Sequence, residues 1–226
     1  MKIKQPKFIY LDVGNVLVYK RTTEGENIAR ELGFQPDQYE TIIQKVIELQ
    51  GEKISSKFWN IRTLDDETQV LNEFHRKMCE YLKIDSSDDL IHRLTNYRTK
   101  GDFVLKEGVV DALESLSSRY KLGVLSNALP SRRHHELTLG GIDKYFDQII
   151  ISMEVGFHKP DKQIYEIAIN MSGVHPSEIL FVDDKISYLE GATKAGIHNL
   201  ILFGSKDSTN KFLKIKSLRE LVTLLL

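Results

Sequence analysis

The chain has 226 residues, of which 41% are hydrophobic and 28% charged, a composition typical of globular proteins and unlike that of disordered or fibrous chains. Lysine and arginine number 31 and aspartate and glutamate 32, so the net charge of -1 creates no overall field that would attract nucleic acid or an anionic membrane surface. We therefore expect neither partner. The length accommodates one α/β core with a sizeable insertion, because single cores commonly hold about 100–200 residues.

Cysteine usage and the N-terminal sequence bear on localisation. The single cysteine, Cys79, cannot close an intramolecular disulfide, which fits a reducing compartment. The apolar run FIYL after Lys7 is interrupted by Asp12 and followed by no small-residue cleavage site, so we interpret it as a buried strand rather than part of a signal peptide. No uninterrupted apolar stretch approaches the roughly 20 residues that span a bilayer. We predict a soluble, cytoplasmic protein.

The first third of the chain predicts one strand followed by helices. The segment KFIYLDVGNVLV has the apolar run of a buried strand that ends at Asp12, and Gly14 and Asn15 then favour a tight turn. From about Thr22 to about Asn96, apolar residues recur at helical spacing, and capping-type starts occur at residues 36–37, 65–66 and 86–88. This pattern predicts a helical module of four or five helices.

After Gly101 the predicted helices and strands alternate. The predicted strands are KLGVLS, QIIIS, EILFVDD and NLILF, and the predicted helices cover 109–118, a segment after Pro130, 161–171, 186–195 and 217–225. Such alternation implies right-handed crossovers and a parallel sheet covered by helices on both faces. The predicted fold class is therefore α/β, a Rossmann-like parallel sheet with an α-helical insertion. In such sheets ligands bind at the carboxyl ends of the strands.

Polar residues occupy the predicted carboxyl ends of three strands. They are Asp12, Ser126 with Asn127, and Asp183 with Asp184. Carboxylates are the hard oxygen ligands that Mg²⁺ prefers, and an aspartate can also take up a phosphoryl group as an aspartyl-phosphate. The Ser126 hydroxyl and the Asn127 amide can donate hydrogen bonds to phosphate oxygens, and Lys159, before a predicted helix, can place a positive charge against them. Each feature alone is also ordinary turn or capping chemistry, so the functional interpretation depends on their joint appearance.

The order of these residues also carries a resemblance. The stretches YLDVGNVLV, LGVLSNA, GFHKPDKQIY and ILFVDDKISYLEGATKAGI resemble the four signature motifs of haloacid dehalogenase superfamily hydrolases, and they cover the core from Lys7 to Phe203. The resemblance implies a Rossmann-like core in residues 1–18 and 101–226. The helical segment 19–100 is then similar to the type 1 cap of the family, a lid over the site.

The resemblance also implies a role for each site residue. Asp12 is the expected nucleophile, Ser126 the expected hydrogen-bond donor to the phosphate, and Lys159 the expected orienting charge. Magnesium is expected on the side chains of Asp12 and Asp183, on the backbone carbonyl of residue 14, and on Asp184 directly or through water.

The sequence departs from the family pattern at two positions. Family phosphatases usually carry a second aspartate two residues after the nucleophile, which serves as general acid and base, whereas this chain has Gly14. A DxGN first motif does occur in part of the family, including bacterial sugar-phosphate phosphatase-like members. Without the acid, we expect a preference for esters whose leaving oxygen is acidic. The second departure is Tyr188, where the fourth motif often has asparagine, and we have no functional account of it.

Other side chains have weaker claims to the site. The run RRHH at 132–135 could reach an anionic substrate, but a solvated helix start is the favoured interpretation. His75 and the pair Phe58 and Trp59 lie on predicted helices of the insertion and could face the site, although packing within the insertion explains them as well. We interpret His158 as a loop residue rather than a proton shuttle.

These observations predict a Mg²⁺-dependent phosphatase that hydrolyses a small phosphorylated metabolite, with a sugar phosphate favoured, through an aspartyl-phosphate on Asp12. Gly14 suggests an alternative, a catalytically silent phospho-ligand sensor or partner-binding protein. A metal-independent dehalogenase is a second alternative, disfavoured by the paired acids after the strand EILFV. The insertion should close over bound phosphate by hinges near residues 19–22 and 99–101. The sequence does not indicate an oligomeric state.

Overall fold

The computed structural model describes residues 3–50, 52–138, 140–204 and 211–226, so residue 1, where the predicted core begins, lies outside the described part. The strands of the main sheet are β1 (Phe8–Leu11), β4 (Lys121–Ser126), β5 (Gln148–Ile151), β6 (Ile179–Asp183), β7 (Asn199–Phe203) and β8 (Leu213–Ile215). They pair in parallel throughout, in the order β5-β4-β1-β6-β7-β8. The α/β prediction with a parallel sheet is confirmed.

The chain order reverses at β1, which has β4 on one side and β6 on the other. Leu11 at the end of β1 is in register with Val124 and Val182 of these neighbours. The residues that follow these three strands therefore meet at one edge of the sheet. This switch point is where open parallel sheets form their ligand crevice.

Helices cover both faces of the sheet. They are α6 (Val109–Ser117), α7 (Ser152–Val155), α8 (Lys162–Ser172), α9 (Ile186–Lys194) and α10 (Leu218–Leu225). Alternate residues of β1 serve the two faces: Ile9 packs into the core with α6 and α10, and Tyr10 into the core with α8 and α9. Gly123 of β4 makes room for the second core, because a Cβ there would lie 2.5 Å from the Tyr10 ring. Both cores hold the sheet edge, and the site on it, rigid.

The insertion is a helical segment with a core of its own. Its helices among the described residues are α1 (Glu24–Leu32), α2 (Tyr39–Gln50), α3 (Glu52–Trp59), α4 (Leu64–Leu82) and α5 (Asp88–Thr99). Ile28, Val46 and Phe74 are among the buried residues of this core. Thr63 and Ser87 cap α4 and α5 through their side chains. No helix within the described residues is both long and apolar enough to cross a bilayer.

Several elements differ from the sequence-based expectations. The chain enters and leaves the helical segment through two short antiparallel strands that were not predicted, β2 (Val18–Lys20) and β3 (Phe103–Leu105). The short strand β8 and helix α7 were also not predicted. The segment after Pro130 begins as a helix but widens into a π-helical turn over Arg133–Thr138.

Candidate active site

Asp12 lies directly after β1, at the centre of the sheet edge. Its backbone N–H donates to the carbonyl oxygen of Val182 on β6 at 3.0 Å, which fixes the residue relative to the neighbouring strand. The predicted tight turn follows. Asn15 takes the left-handed conformation in this turn, with φ of 60°, whereas Gly14 has no positive φ. The glycine at position 14 is therefore not required by the backbone conformation.

Lys159 lies at the centre of the polar cluster. Its Nζ donates to Asp12 Oδ1 at 2.7 Å, to Asp183 Oδ2 at 2.6 Å and to the carbonyl oxygen of Leu125 at 2.8 Å. The exposed fractions are 2% for Lys159, 7% for Asp12 and 0% for Asp183. All three protons of the ammonium thus have acceptors inside the protein. The predicted nucleophile and the predicted orienting charge are in direct contact.

Two contacts position the loop that carries Lys159. The Asn127 side chain donates from Nδ2 to the carbonyl oxygen of Lys159 at 2.8 Å, and its Oδ1 accepts from the Lys159 N–H at 2.8 Å. On the other side the loop packs against α9, where a Cβ at Gly191 would lie 2.6 Å from the Pro160 carbonyl oxygen. Asn127 therefore holds Lys159 in place, in addition to the phosphate contact that the sequence predicts for it.

Burial shifts the pKa values in this cluster. Burial raises the pKa of Asp183 to about 7, with Lys159 opposing the rise and Asp12 adding to it. Burial also raises the pKa of Asp12, again against the effect of Lys159. For Lys159, burial lowers the pKa, but the two carboxylates outweigh it and the pKa is raised. The cluster thus concentrates negative charge that the lysine offsets only in part.

Three aspartates of the cluster could hold a metal ion. Asp12, Asp183 and Asp184 each offer a carboxylate oxygen, and these oxygens lie within 4.8 Å of one another. An all-oxygen set with excess negative charge is what Mg²⁺ prefers. The donor set therefore fits a divalent cation.

Neighbouring groups orient two of these carboxylates. Asp184 Oδ2 accepts from Asn15 Nδ2 at 2.9 Å, and Asp183 Oδ1 accepts from the Lys185 N–H at 2.9 Å. Such supporting hydrogen bonds fix the direction of ligand oxygens. The Asn15 contact also gives the asparagine of the DxGN motif a structural role.

A cleft of about 540 Å³ opens over the cluster. Of the predicted site residues, five line it, namely Asp12, Gly14, Ser126, Asn127 and Asp184. Lys159 and Asp183 are not among the lining residues; Lys159 contacts Asp12 directly, and Asp183 contacts Lys159. The structure thus brings the predicted residues together, while their individual roles stay predictions.

The far wall of the cleft contains residues that the sequence analysis did not place there. Arg132 and Glu136 line it, together with Lys20 and Phe103 from the two short strands. Arg132 and Glu136 are each only 8% exposed, so the interpretation of residues 132–135 as a solvated helix start is wrong for Arg132. In the sequence, only the i,i+4 spacing of Arg132 and Glu136 indicates that the two side chains interact, and this spacing usually marks an ion pair on a helix surface.

Tyr188 also lies in the cleft wall. Its ring faces the Nζ atoms of Lys159 and Lys185, each at 4.9 Å, and its hydroxyl accepts from Asn127 Nδ2 at 3.2 Å. A cation held over an aromatic face is stabilised by the ring quadrupole. The residue at this departure from the family pattern therefore helps to support Lys159 and Asn127.

The remaining candidates lie away from the cleft. His75 is buried in the helical segment, where its Nδ1 is 3.0 Å from Thr95 Oγ1. Phe58 packs edge-on against Phe74, and the Trp59 ring lies 5.0 Å from the His158 ring. None of these four predicted candidates is among the cleft-lining residues of the described chain.

Comparison with known protein families identifies the family of this chain. The sequence pattern of the family described as Haloacid dehalogenase-like hydrolase matches residues 25–202. The chain belongs to this family. The matched range contains Ser126, Lys159 and Asp183, whereas Asp12 precedes it. The resemblance deduced from the four motifs is thereby confirmed.

Individual members of the haloacid dehalogenase-like hydrolases are also similar to the chain. Glyceraldehyde 3-phosphate phosphatase of Methanothermobacter thermautotrophicus is 36% identical over 87 residues, 38% of each chain. The chain therefore matches about two fifths of the length of such curated relatives.

Solved structures of the family share the fold along nearly the entire chain. The 2-haloacid dehalogenase from Pseudomonas syringae pv. Tomato DC3000 has a TM-score of 0.71 at 20% identity, covering 97% of this chain and 98% of that one. The HAD-hydrolase YfnB from Bacillus subtilis bound to magnesium has a TM-score of 0.67 at 17% identity, covering 98% and 99%. At such identities these similarities concern the fold alone.

Proposed function

We propose that the chain is a Mg²⁺-dependent phosphatase that hydrolyses a small phosphorylated metabolite through an aspartyl-phosphate on Asp12. The observation that carries this proposal is the contact of one buried ammonium, Lys159, with both Asp12 and Asp183 beneath an open cleft. Family membership supports the hydrolytic chemistry. The phosphatase named among the relatives supports a phosphate ester as substrate.

Each residue of the cluster has a task in this chemistry. The free oxygen of Asp12 attacks phosphorus, the bond from phosphorus to the ester oxygen breaks, and the phosphoryl group stays on the aspartate until water displaces it. Lys159 holds the nucleophile through Oδ1 and keeps positive charge beside the transferring group. The Ser126 hydroxyl donates to the phosphate oxygens, and Asn127 holds Lys159 in place beside them. Mg²⁺ on Asp12, Asp183 and Asp184, and on the Gly14 carbonyl, would neutralise charge on those oxygens.

The cleft supports a small substrate. A volume of about 540 Å³ accommodates a metabolite of a few carbons with its phosphate, and the lining alternates apolar side chains such as Val18 and Leu129 with polar ones such as Lys20. A phosphorylated sugar or triose has hydroxyl groups that can use the polar positions. We therefore propose a small sugar phosphate as the substrate class.

A silent phospho-ligand sensor and a metal-independent dehalogenase remain the competing functions. The first derives from Gly14, and the second from the dehalogenation reaction after which the family is named. Phosphate release from aryl and sugar phosphates, assayed with Mg²⁺ and with a chelator, separates the three. The phosphatase requires Mg²⁺, the sensor releases nothing, and the dehalogenase releases halide from 2-haloacids in the presence of the chelator.

The substitution Asp12→Asn tests the covalent mechanism, because it keeps the side-chain shape and removes the anionic nucleophile. We expect turnover to fall to background with the fold retained. After an acid quench, native protein incubated with a radiolabelled substrate should carry the phosphoryl group, and the variant should not. Asp111→Asn, on the exposed side of α6, is the matched control and should label normally. Native-rate hydrolysis by Asp12→Asn would rule out the aspartyl-phosphate.

A further inference from the structure

The proposed phosphatase reaction needs a proton donor that the first motif does not supply. When the phosphoryl group transfers to Asp12, the departing alkoxide must take up a proton. In the second step, the water that attacks the phosphoryl group must lose a proton. Gly14 offers no side chain for either step. The position is open, because a Cβ at residue 14 would meet only Asp12 Oδ2, at 4.0 Å. Another group must therefore hold the proton if alkyl esters are substrates.

Among the described residues, the carboxyl side chains that line the cleft belong to Asp12, Asp184 and Glu136. Asp12 is the proposed nucleophile. Asp184 accepts a hydrogen bond from Asn15 and belongs to the acid cluster that fits a metal ion. Glu136 has no task in the mechanism described above, although it is buried against the cleft wall.

The carboxyl group of Glu136 lies near the guanidinium of Arg132 but accepts no hydrogen bond from it. Arg132 Nε lies 3.7 Å from Glu136 Oε1, which is an ion pair too long for a hydrogen bond. Within the described part of the chain no side chain or backbone N–H donates a hydrogen bond to this carboxyl. Arg132 itself is fixed, since its guanidinium lies 4.4 Å from the Phe103 ring centre and its Nη2 donates to the Arg98 carbonyl oxygen at 2.9 Å.

The electrostatic surroundings of Glu136 suit proton transfer near neutral pH. Burial raises the pKa of Glu136 to about 7, with Arg132 and Lys20 opposing the rise and Asp12 adding to it. Asp12 and Glu136 line the same cleft, and the charge of Asp12 contributes to the raised pKa of Glu136. A group that is half protonated near pH 7 can both give and take a proton efficiently.

The backbone around Glu136 is also unusual. Residues Arg133–Thr138 form a π-helical turn, and such turns occur mostly as single insertions and frequently at functional sites. In a regular α-helix the residues after Arg132 would be rotated differently with respect to the cleft. Glu136 lies within this turn, and it lines the same cleft wall as Arg132.

We propose that Glu136 supplies the acid and base function that position 14 lacks, an inference that rests on the proposed phosphatase activity. In the first step the Glu136 carboxylic proton goes to the ester oxygen as its bond to phosphorus breaks and the Asp12–phosphorus bond forms. In the second step the Glu136 carboxylate takes a proton from water as the water oxygen bonds to phosphorus and the Asp12 oxygen leaves. Phosphate is released and Glu136 is again protonated.

The test is Glu136→Gln, which keeps the size of the side chain and removes the transferable proton. Phosphorylation of Asp12 is measured by single-turnover kinetics for phosphate esters that range from alkyl to nitrophenyl leaving groups, with saturating Mg²⁺. Native protein should show a shallow dependence of rate on leaving-group pKa, in contrast to the steep one expected from Gly14 alone. The variant should lose about 10²–10⁴-fold on alkyl esters and far less on nitrophenyl phosphate.

Two further variants distinguish the loss of a proton donor from a structural defect at residue 136. Glu154→Gln removes a carboxylate that pairs with Arg133 of the same turn but does not line the cleft, and it should leave the slope unchanged. Adding Gly14→Asp to Glu136→Gln places an acid at the open position and should restore alkyl-ester turnover, which no structural defect at residue 136 would allow.

The outcomes separate this inference from the proposed function. A uniform loss over all esters in Glu136→Gln, or an unchanged slope, would overturn the role of Glu136 while Asp12-dependent turnover by native protein still supports the phosphatase. Native protein that hydrolyses no ester in the series would overturn both.

Discussion

At the scale of single residues, the charge of the acid cluster determines how the proposed metal ion would affect stability. Because burial raises the pKa of Asp183 to about 7, ionisation of this carboxyl opposes folding as pH rises from the unfolded value of 3.8 towards 7. A bound cation relieves that cost. Asp183→Asn removes this cost but leaves one buried donor, Lys159 Nζ or the Lys185 N–H, without its acceptor. We therefore expect it to sharply reduce the stabilisation by Mg²⁺ at pH 8, whatever the stability of the metal-free protein.

Thermal unfolding at pH 8, with Mg²⁺ titrated from zero to saturation, measures the stability of the metal-free protein and its stabilisation by Mg²⁺. Asp111→Asn is the control, as an exposed aspartate outside the cleft, and its Mg²⁺ titration should match that of native protein. An unchanged magnesium titration in Asp183→Asn would remove Asp183 from the metal site.

Residues at strand ends could be placed from sequence, and residues on irregular backbone could not. Asp12 and Asp183 follow apolar runs that can only be buried strands, and parallel strands bring their ends to one edge. Glu136 lies ten positions beyond Ser126, within the π-helical turn Arg133–Thr138. Periodicity arguments assume a regular helix, so they gave no direction for the Glu136 side chain.

At the scale of elements, α4 is fastened to the segment after β4 by one buried carboxylate. Glu67 accepts from the Ser131 N–H at 2.9 Å and from the Ser131 hydroxyl at 2.7 Å, and it is fully buried. In Glu67→Gln the amide oxygen can accept from the Ser131 N–H and the amide NH₂ can donate to the hydroxyl oxygen, but the stronger hydrogen bonds to a charged carboxylate are lost. We expect a loss of about 1–3 kcal/mol in the free energy of unfolding.

Urea unfolding of purified variants checks this expectation. Asp65→Asn lies on the exposed side of the same first turn of α4 and should change stability little. Equal stability of Glu67→Gln and native protein would mean that the contact contributes nothing to holding α4 against the segment after β4.

The short strands β2 and β3 show why element boundaries were missed. Each has three residues, too few for an alternating pattern to stand out, and their pairing joins residues about 85 positions apart. Elements with a clear sequence signal were foreseen, such as α4 with its helical spacing and β6 with its continuous apolar run, because they carry enough buried positions to fix their type. The segments that connect the sheet to the helical insertion therefore became visible only in the structure.

At the scale of the whole molecule, the sheet and the helical segment have separate hydrophobic cores. A small cluster of Ile61, Val70 and Met153 and the Glu67 contact with Ser131 join them. An interface of this kind permits relative motion, because breaking it exposes little apolar surface. The paired strands β2 and β3 continue through a hydrogen bond from the Arg21 N–H to the Asp102 carbonyl oxygen at 3.0 Å. Bending is then expected at the end of these paired strands, near residues 21–23 and 99–102. This shifts the first hinge predicted from sequence, 19–22, along the chain and extends the second, 99–101, by one residue.

Closure of the helical segment over a bound phosphate would exclude water and strengthen the electrostatic contacts around Asp12. Amide hydrogen exchange, measured with and without Mg²⁺ and orthovanadate, detects this closure. We expect slower exchange at the Ser131 amide, which donates to Glu67, and altered exchange in residues 21–23 and 99–102. The interiors of α2 and α5 should exchange at the same rate in both states, because their core moves as one body. Glu67→Gln serves as the matched control, since it should weaken the protection at Ser131 without abolishing the response at the hinges. Exchange that slows evenly along the entire chain, or that leaves both hinge segments unchanged, would contradict closure.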